Sequence, residues 1–218
     1  MSHGEAGFAT VAPAEYGRAM STEAALAPDY PIGTERLLLR PIDPERDLDA
    51  MHAYLSREDV CRYIPPVPST REQVAERLRD PERTRSVLTE AGQHLRLSIV
   101  LRDTGELVGD VLLFWHSAES RGGEVGYIIA PAHQGHGYAT EASAAMLALG
   151  FDGLGLHRIT GRIDERNPAS AAVLTKIGMR QEAVLVENEW FKGEWTTEVD
   201  FAILEREWRA GAGYGRAL

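Results

Sequence analysis

The sequence predicts an α+β fold, helices and strands mixed in one sheet-based domain, and three stretches carry that prediction. A strand followed by a helix opens at 34–55, a hairpin occupies 95–115, and a strand, helix, strand order runs from 125 to 163. With 218 residues, 44% apolar and 26% charged, the chain has material for one substantial core.

In order, residues 1–30 hold small residues, glycines and prolines without a sustained period, which predicts a flexible or loosely docked extension ahead of a domain at 31–218. Thr34 to Pro41 reads as a strand, and Leu48, Met51, His52 and Leu55 fall at helical spacing. Ser69 with Glu72 three residues on resembles a capping box, starting a helix that Pro81 stops. Leu95, Leu97, Ile99 and Leu101 alternate as a strand, Asp103-Thr104-Gly105 turns it, and Leu107 to Trp115 returns. Val125 to Ala130 is short and almost wholly apolar, as a strand buried on both faces should be. Ala139, Ala142, Met146 and Leu149 share a helical face, and Arg158 to Ile163 alternates again. Asn167-Pro168 supplies a cap and a first-turn proline for a helix that Gly178 ends, and strands at about 181–187 and 195–204 complete the domain.

Cys61 is the only cysteine, so an internal disulfide and a cysteine-rich zinc site are excluded. No basic leader and no apolar run of membrane length is visible, so a cytoplasmic protein with no membrane partner is expected. A formal charge of −10 disfavours nucleic acid and favours cationic partners. Monomer and homodimer are both open.

The chemistry concentrates in Glu124 to Glu141, EVGYIIAPAHQGHGYATE. An apolar strand ends at Pro131, the turn Gln134-Gly135-His136-Gly137 follows, and a helix opens near Tyr138. Glycines let successive N–H groups converge and the helix N-terminus adds its dipole, so the turn suits a pyrophosphate without lysine or arginine. His133 and His136 lack nearby ligands to complete a metal set, and no metal is expected. Cys61 has no activating partner nearby and reads as a buried or incidental thiol.

Gln134-x-x-Gly137-x-Ala139 resembles the coenzyme A signature of the GNAT N-acetyltransferases, and Asn167-Pro168-Ala169-Ser170 through Lys176-Ile177-Gly178-Met179 resembles their RimJ/RimL-like branch. The resemblance covers about residues 34–208. It implies a twisted, mostly antiparallel sheet of six to seven strands flanked by about four helices, splayed at the coenzyme A-binding strand. It also implies direct acetyl transfer from acetyl-CoA to a primary amine, with a protein N-terminal α-amine as leading acceptor. A small amine (polyamine, aminoglycoside or siderophore type) and a non-catalytic acyl-CoA-binding module are the alternatives.

On that resemblance the acetyl-CoA contacts are Ile128, Ile129, Ala130, Gln134, Gly135, His136, Gly137, Tyr138, Ala139, Thr140, Asn167 and Lys176. The amine must lose a proton before attack. Glu189 is the first candidate base and Glu124, heading the central strand, the competitor. Leu174 stands where much of the superfamily has a tyrosine, so Ser170 is expected to protonate the departing thiolate. N–H groups around 129–131 are the candidate oxyanion donors, and the side chains of Tyr127, Ile128 and Ile129 are expected in the core. Tyr63, Trp190, Phe191 and Trp195, beside Glu58, Asp59, Glu187 and Glu194, are expected to give the acceptor an acidic, aromatic mouth.

Overall fold

Hydrophobic alternation at 37–41 and 94–117 builds an antiparallel meander, and the computed structural model describes residues 25–211 of the chain around it. Strands β1 (Ile32–Gly33), β2 (Leu37–Pro41), β3 (His94–Leu101), β4 (Leu107–Ser117) and β5 (Gly122–Ile129) pair antiparallel in sequence order. Beyond them lie β6 (Arg158–Asp164), β8 (Glu194–Leu204) and β7 (Arg180–Phe191), giving one eight-stranded sheet in the order β1-β2-β3-β4-β5-β6-β8-β7. The sheet exceeds the expected six to seven strands because β1, two residues long, pairs with β2.

Helices α1 (Leu48–Leu55), α2 (Glu58–Cys61) and α3 (Arg71–Arg79) precede β3, α4 (Tyr138–Ala148) and α5 (Pro168–Lys176) flank β6, and α6 (Glu205–Arg209) follows β8. Among the described residues there are six helices where about four were expected, because α2 and α6, of four and five residues, are too short to show a helical period. Helix α3 is capped by Thr70, whose hydroxyl accepts from Gln73 N–H while Gln73 Oε1 accepts from Thr70 N–H. Ser69, the expected cap, is buried and donates to Val67 O at 2.7 Å.

One sheet face packs on α4 and α5 through a core that includes Leu97, Ile99, Met146, Phe151 and Leu174. The other packs on α1 and α3 through Met51, Tyr54, Val74 and Leu78. Leu26 belongs to the first core and exchanges two backbone bonds with Leu88, so part of the expected extension is docked; residues 1–24 lie outside the described residues.

Two departures from the expected elements shape the site. β5 begins at Gly122 and not at 125, because Gly122 and Gly123 pair with β4 and β6 together. A Cβ on Gly123 would meet Phe114 O at 2.7 Å, so glycine here serves close strand approach. β7 runs on to Phe191 through a register shift between Leu185 and Glu189, with Glu187 at φ 49°. The expected loop at 187–195 is therefore a hairpin closed by Lys192 and Gly193 alone.

Among the described residues the only parallel pairing is β5 with β6, and it is brief: Gly122, Gly123 and Glu124 face Arg158, Ile159 and Thr160. Past Glu124 the strands separate, β5 staying with β4 and β6 with β8. This is the splay that the resemblance implies.

Glu141 pins helix α4 beside the splay. Its carboxylate accepts from Thr34 Oγ1 (2.5 Å), Arg36 N–H (2.7 Å) and Arg36 Nε (2.8 Å). Burial pushes its pKa up, but these bonds and the guanidinium charge outweigh burial and hold it below the ordinary value of 4.5. A lowered folded pKa means stability that is present above the unfolded value and lost as pH falls through the folded one. Because Arg36 is 43% exposed, screening limits the effect: Glu141→Gln should cost about 1–2 kcal/mol at pH 7 by denaturant titration. The gap to the parent protein should close as pH falls below about 4.5.

Candidate active site

The turn between β5 and α4 holds its shape through left-handed glycines, Gly135 at φ 79° and Gly137 at φ 82°. Gln134 Nε2 donates to Ile129 O (3.0 Å), fastening the turn to the end of β5. Arg36 donates to His136 O (2.9 Å) and lies 5.0 Å over the Tyr138 ring, fastening it to β2. Within the helix the first bonded amide is Glu141 N–H, to Gly137 O at 3.1 Å. Among the described residues, no backbone N–H from Gly135 to Thr140 has a partner in the chain, which leaves a cluster of donors at the positive end of α4. His136 Nδ1 lies 2.9 Å from Gln134 O and His133 Nε2 lies 3.1 Å from Glu106, so the two rings serve separate local contacts.

A cleft of about 510 Å³ runs from this turn along the splay, between β5 and the start of α5. Ten of the expected cofactor contacts line it: Ile128, Ile129, Gln134, Gly135, Gly137, Tyr138, Ala139, Thr140, Asn167 and Lys176. Ala130 and His136 do not. Ala130 N–H donates to Val108 O (2.8 Å), toward β4. By the two-residue alternation of a strand, the amides of Ile129 and Tyr127 point the opposite way, into the splay. Of the amides expected to meet an oxyanion, Ile129 N–H is thus the one that faces the opening.

Tyr127 is a half-buried side chain packed against the core at the edge of the cleft. It lines the cleft and donates its hydroxyl to Ser170 O (3.2 Å), and burial pushes its pKa up to about 12, so it remains a protonated donor. Ser170 also lines the cleft. Asn167 caps α5 by accepting from Ser170 N–H (3.1 Å), which leaves the serine hydroxyl out of the cap. Leu174 is buried against Gly161 and takes no part.

The candidate base Glu124 and the carboxylates around it lie on the opposite sheet face. Glu124, at the last β5–β6 pair, shares its face with Ile128, which packs against α1 and α3. Register carries that face outward through Thr160, Arg162, Asp200 and Glu198 to Glu189 beside Thr196. Arg162 Nε donates to Glu124 Oε2 (3.0 Å), His116 Nε2 lies 3.1 Å from the same oxygen, and Arg162 Nη1 stands 3.7 Å from Glu198. Burial, with Asp200, Glu189 and Glu124 nearby, pushes the Glu198 pKa up against the pull of Arg162.

Neither candidate base borders the cleft: Glu189, the first candidate, is exposed on β7, and Glu124 stands where the strands part. Tyr63 lines the cleft, with the Arg166 guanidinium 5.9 Å from its ring. Trp190 and Trp195 instead pack edge-on at 5.4 Å near the hairpin tip, 60% and 57% exposed, and Phe191 lies under Lys192. They sit there because the hairpin continues through residues read as a loop. Glu198 and Arg162 escaped the sequence reading. The alternation Thr196, Glu198, Asp200 was their only signal, and it needs the register of β6 to bring a glutamate and an arginine together.

A splayed sheet, a glycine turn of free amides and carboxylates across the sheet define an enzyme that receives an acyl thioester and an amine. The sequence model of the Acetyltransferase (GNAT) domain matches residues 36–180, and the chain belongs to the GNAT acetyltransferase family. It is 33% identical over 178 residues to the uncharacterized N-acetyltransferase YnaD of Bacillus subtilis, covering 81% of this chain and 98% of the relative. It resembles the crystal structure of a GNAT-family acetyltransferase from Bacillus anthracis with TM-score 0.70 and 32% identity, over 81% and 99% of the chains. The spermidine N-acetyltransferase of Vibrio cholerae, solved with CoA and spermine, shares the fold at TM-score 0.63 and 24% identity, over 79% and 98%. The protein is an acetyl-CoA-dependent N-acetyltransferase.

Proposed function

We propose that this enzyme acetylates a primary amine of a small polycation. The observation that supports this reading is electrostatic: Glu124, Glu198 and Asp200 gather about the Arg162 guanidinium, with Glu189 beside Glu198. That excess of negative charge suits an acceptor with more than one ammonium group, one to react and one to be held. The Vibrio cholerae neighbour, a spermidine N-acetyltransferase, fits the same acceptor class.

In this reading the turn amides from Gly135 to Thr140 hold the diphosphate of acetyl-CoA, and Asn167 and Lys176 bound its path on the α5 side. The thioester arm lies along Tyr127 and Ile129 toward Glu124. An alkylammonium with a pKa of about 10 carries its proton at pH 7. Glu124, aimed by Arg162 and His116, takes that proton through water. The amine nitrogen then bonds to the thioester carbon, and the developing oxyanion meets Ile129 N–H. The carbon–sulfur bond breaks as the new amide nitrogen gives up its extra proton to water, Ser170 gives the thiolate a proton, and that water restores the serine. Glu189 and Glu198 hold the second cation.

A protein N-terminal α-amine is the second reading, favoured by the likeness of Asn167–Met179 to the RimJ/RimL-like block. Thiol release measured with spermidine, an aminoglycoside and a short peptide with a free N-terminus separates the two. The expected result is a kcat/KM for spermidine at least about tenfold above that for the peptide. The reverse order would transfer the assignment to protein termini.

A further inference from the structure

Lys192 occupies an unfavourable place. With Gly193 it forms the two-residue turn between the paired Phe191 and Glu194, and both lie in the left-handed region, at φ 51° and φ 91°. Such a hairpin turn favours Asn, Asp or Gly at its first position, and lysine is strained there. The ammonium offsets the strain. It donates to the backbone carbonyls of Cys61, Ile64 (2.8 Å) and Pro66 (2.8 Å), which matches its three hydrogens to three acceptors.

Those carbonyls belong to the end of α2 and the irregular stretch after it. A four-residue helix holds little stability of its own, and its terminal carbonyls need partners. The stretch carries Tyr63 and Ile64 into the cleft. On its other side Arg166 faces the Tyr63 ring and binds Glu194 (2.8 Å), the residue that follows the turn. Lys192 therefore joins the β7–β8 hairpin to the wall of the acceptor mouth, and it does so through main-chain oxygens that no neighbouring side chain supplies. The burial that lowers its pKa fits an ammonium held partly out of water.

We propose that Lys192 is a specificity-determining latch: by holding the Cys61, Ile64 and Pro66 carbonyls against the hairpin, it fixes Tyr63 and sets the width of the acceptor mouth. The latch rests on the reading that the acceptor enters between the α2 loop and the hairpin. It is a positioning residue and touches neither the phosphate turn nor Glu124.

Lys192→Asn is the informative change, because asparagine suits the left-handed turn and keeps the hairpin while removing the clasp. Lys192→Met serves the same purpose if the asparagine variant is misfolded. With spermidine as probe, KM should rise at least about tenfold with kcat within about threefold, and acetyl-CoA Kd by calorimetry should stay within about twofold. The preference for spermidine over a free-N-terminus peptide should shrink, and the bonded amides of Cys61, Ile64 and Ser69 should exchange hydrogen at least about tenfold faster. Unchanged KM and selectivity together with unchanged exchange would overturn the latch. Should the parent enzyme acetylate neither probe, the acceptor reading fails, and the exchange rates alone then decide for or against the clasp.

Discussion

Glu124→Gln is expected to lower kcat by about 100-fold, the usual contribution of a positioned general base, while acetyl-CoA still binds with near-parental affinity. Glutamine keeps the size of the side chain and the place of β5 in the sheet but cannot accept the ammonium proton. The expectation follows from position. Glu124 closes the short parallel pairing with β6, its carboxylate is 16% exposed, and Arg162 and His116 hold it from two sides. Glu189 is exposed on β7, three strands from β5, so Glu189→Gln should raise the KM of a polycationic acceptor more than it lowers kcat. Steady-state thiol release with both variants gives the comparison. Loss of kcat in Glu189→Gln with little change in Glu124→Gln would exchange their roles.

The second large effect is expected at the phosphate turn. Gly137→Ala must place a side chain at φ 82° with its Cβ 3.4 Å from Arg36 Nη2. Holding alanine in the left-handed region costs about 1–2 kcal/mol, equivalent to about 5- to 30-fold in an equilibrium. If the backbone relaxes to a negative φ instead, the amides after Gly137 swing away from a common point and the site loses its donors. Acetyl-CoA affinity should therefore fall about tenfold by calorimetry, with kcat at saturating acetyl-CoA little changed. Gly135 has the same backbone demand at φ 79° but open space around its Cβ, so Gly135→Ala should be the milder change.

Much of this architecture was readable in the residues because the decisive elements have strong local signatures. The alternation of Leu95 to Leu101, the apolar Val125 to Ala130, and the Asn167-Pro168 start of α5 each state their conformation in a few side chains. The glycine turn before α4 was equally plain, since two glycines ahead of a helix mark a left-handed bend. What escaped depended on register or distance. The capping box used Thr70 and Gln73 because the neighbouring hydroxyl of Ser69 turned inward, a choice one position apart in sequence. The β7 bulge hid the length of the hairpin, since Glu187-Asn188-Glu189 reads as a polar loop, and the error carried Trp190, Phe191 and Trp195 with it. Glu198 needs β6 beside β8 before it meets Arg162, and Lys192 reaches carbonyls more than 120 positions earlier in the chain. Tyr127 reads as core because its strand is apolar; it does pack against the core, and the splay opens its other side to the cleft.

The central claim is that the amides of Gly135 to Thr140 and the open edge of β5 receive the thioester carrier. Backbone amide NMR during titration with CoA tests it residue by residue. The account predicts that the signals of Gly135 to Thr140, Tyr127 and Ile129 shift together and saturate with one affinity, while those of α6, at the other end of the α4 segment, stay still. Saturable CoA binding that leaves those amides unmoved and shifts another part of the sheet would contradict it.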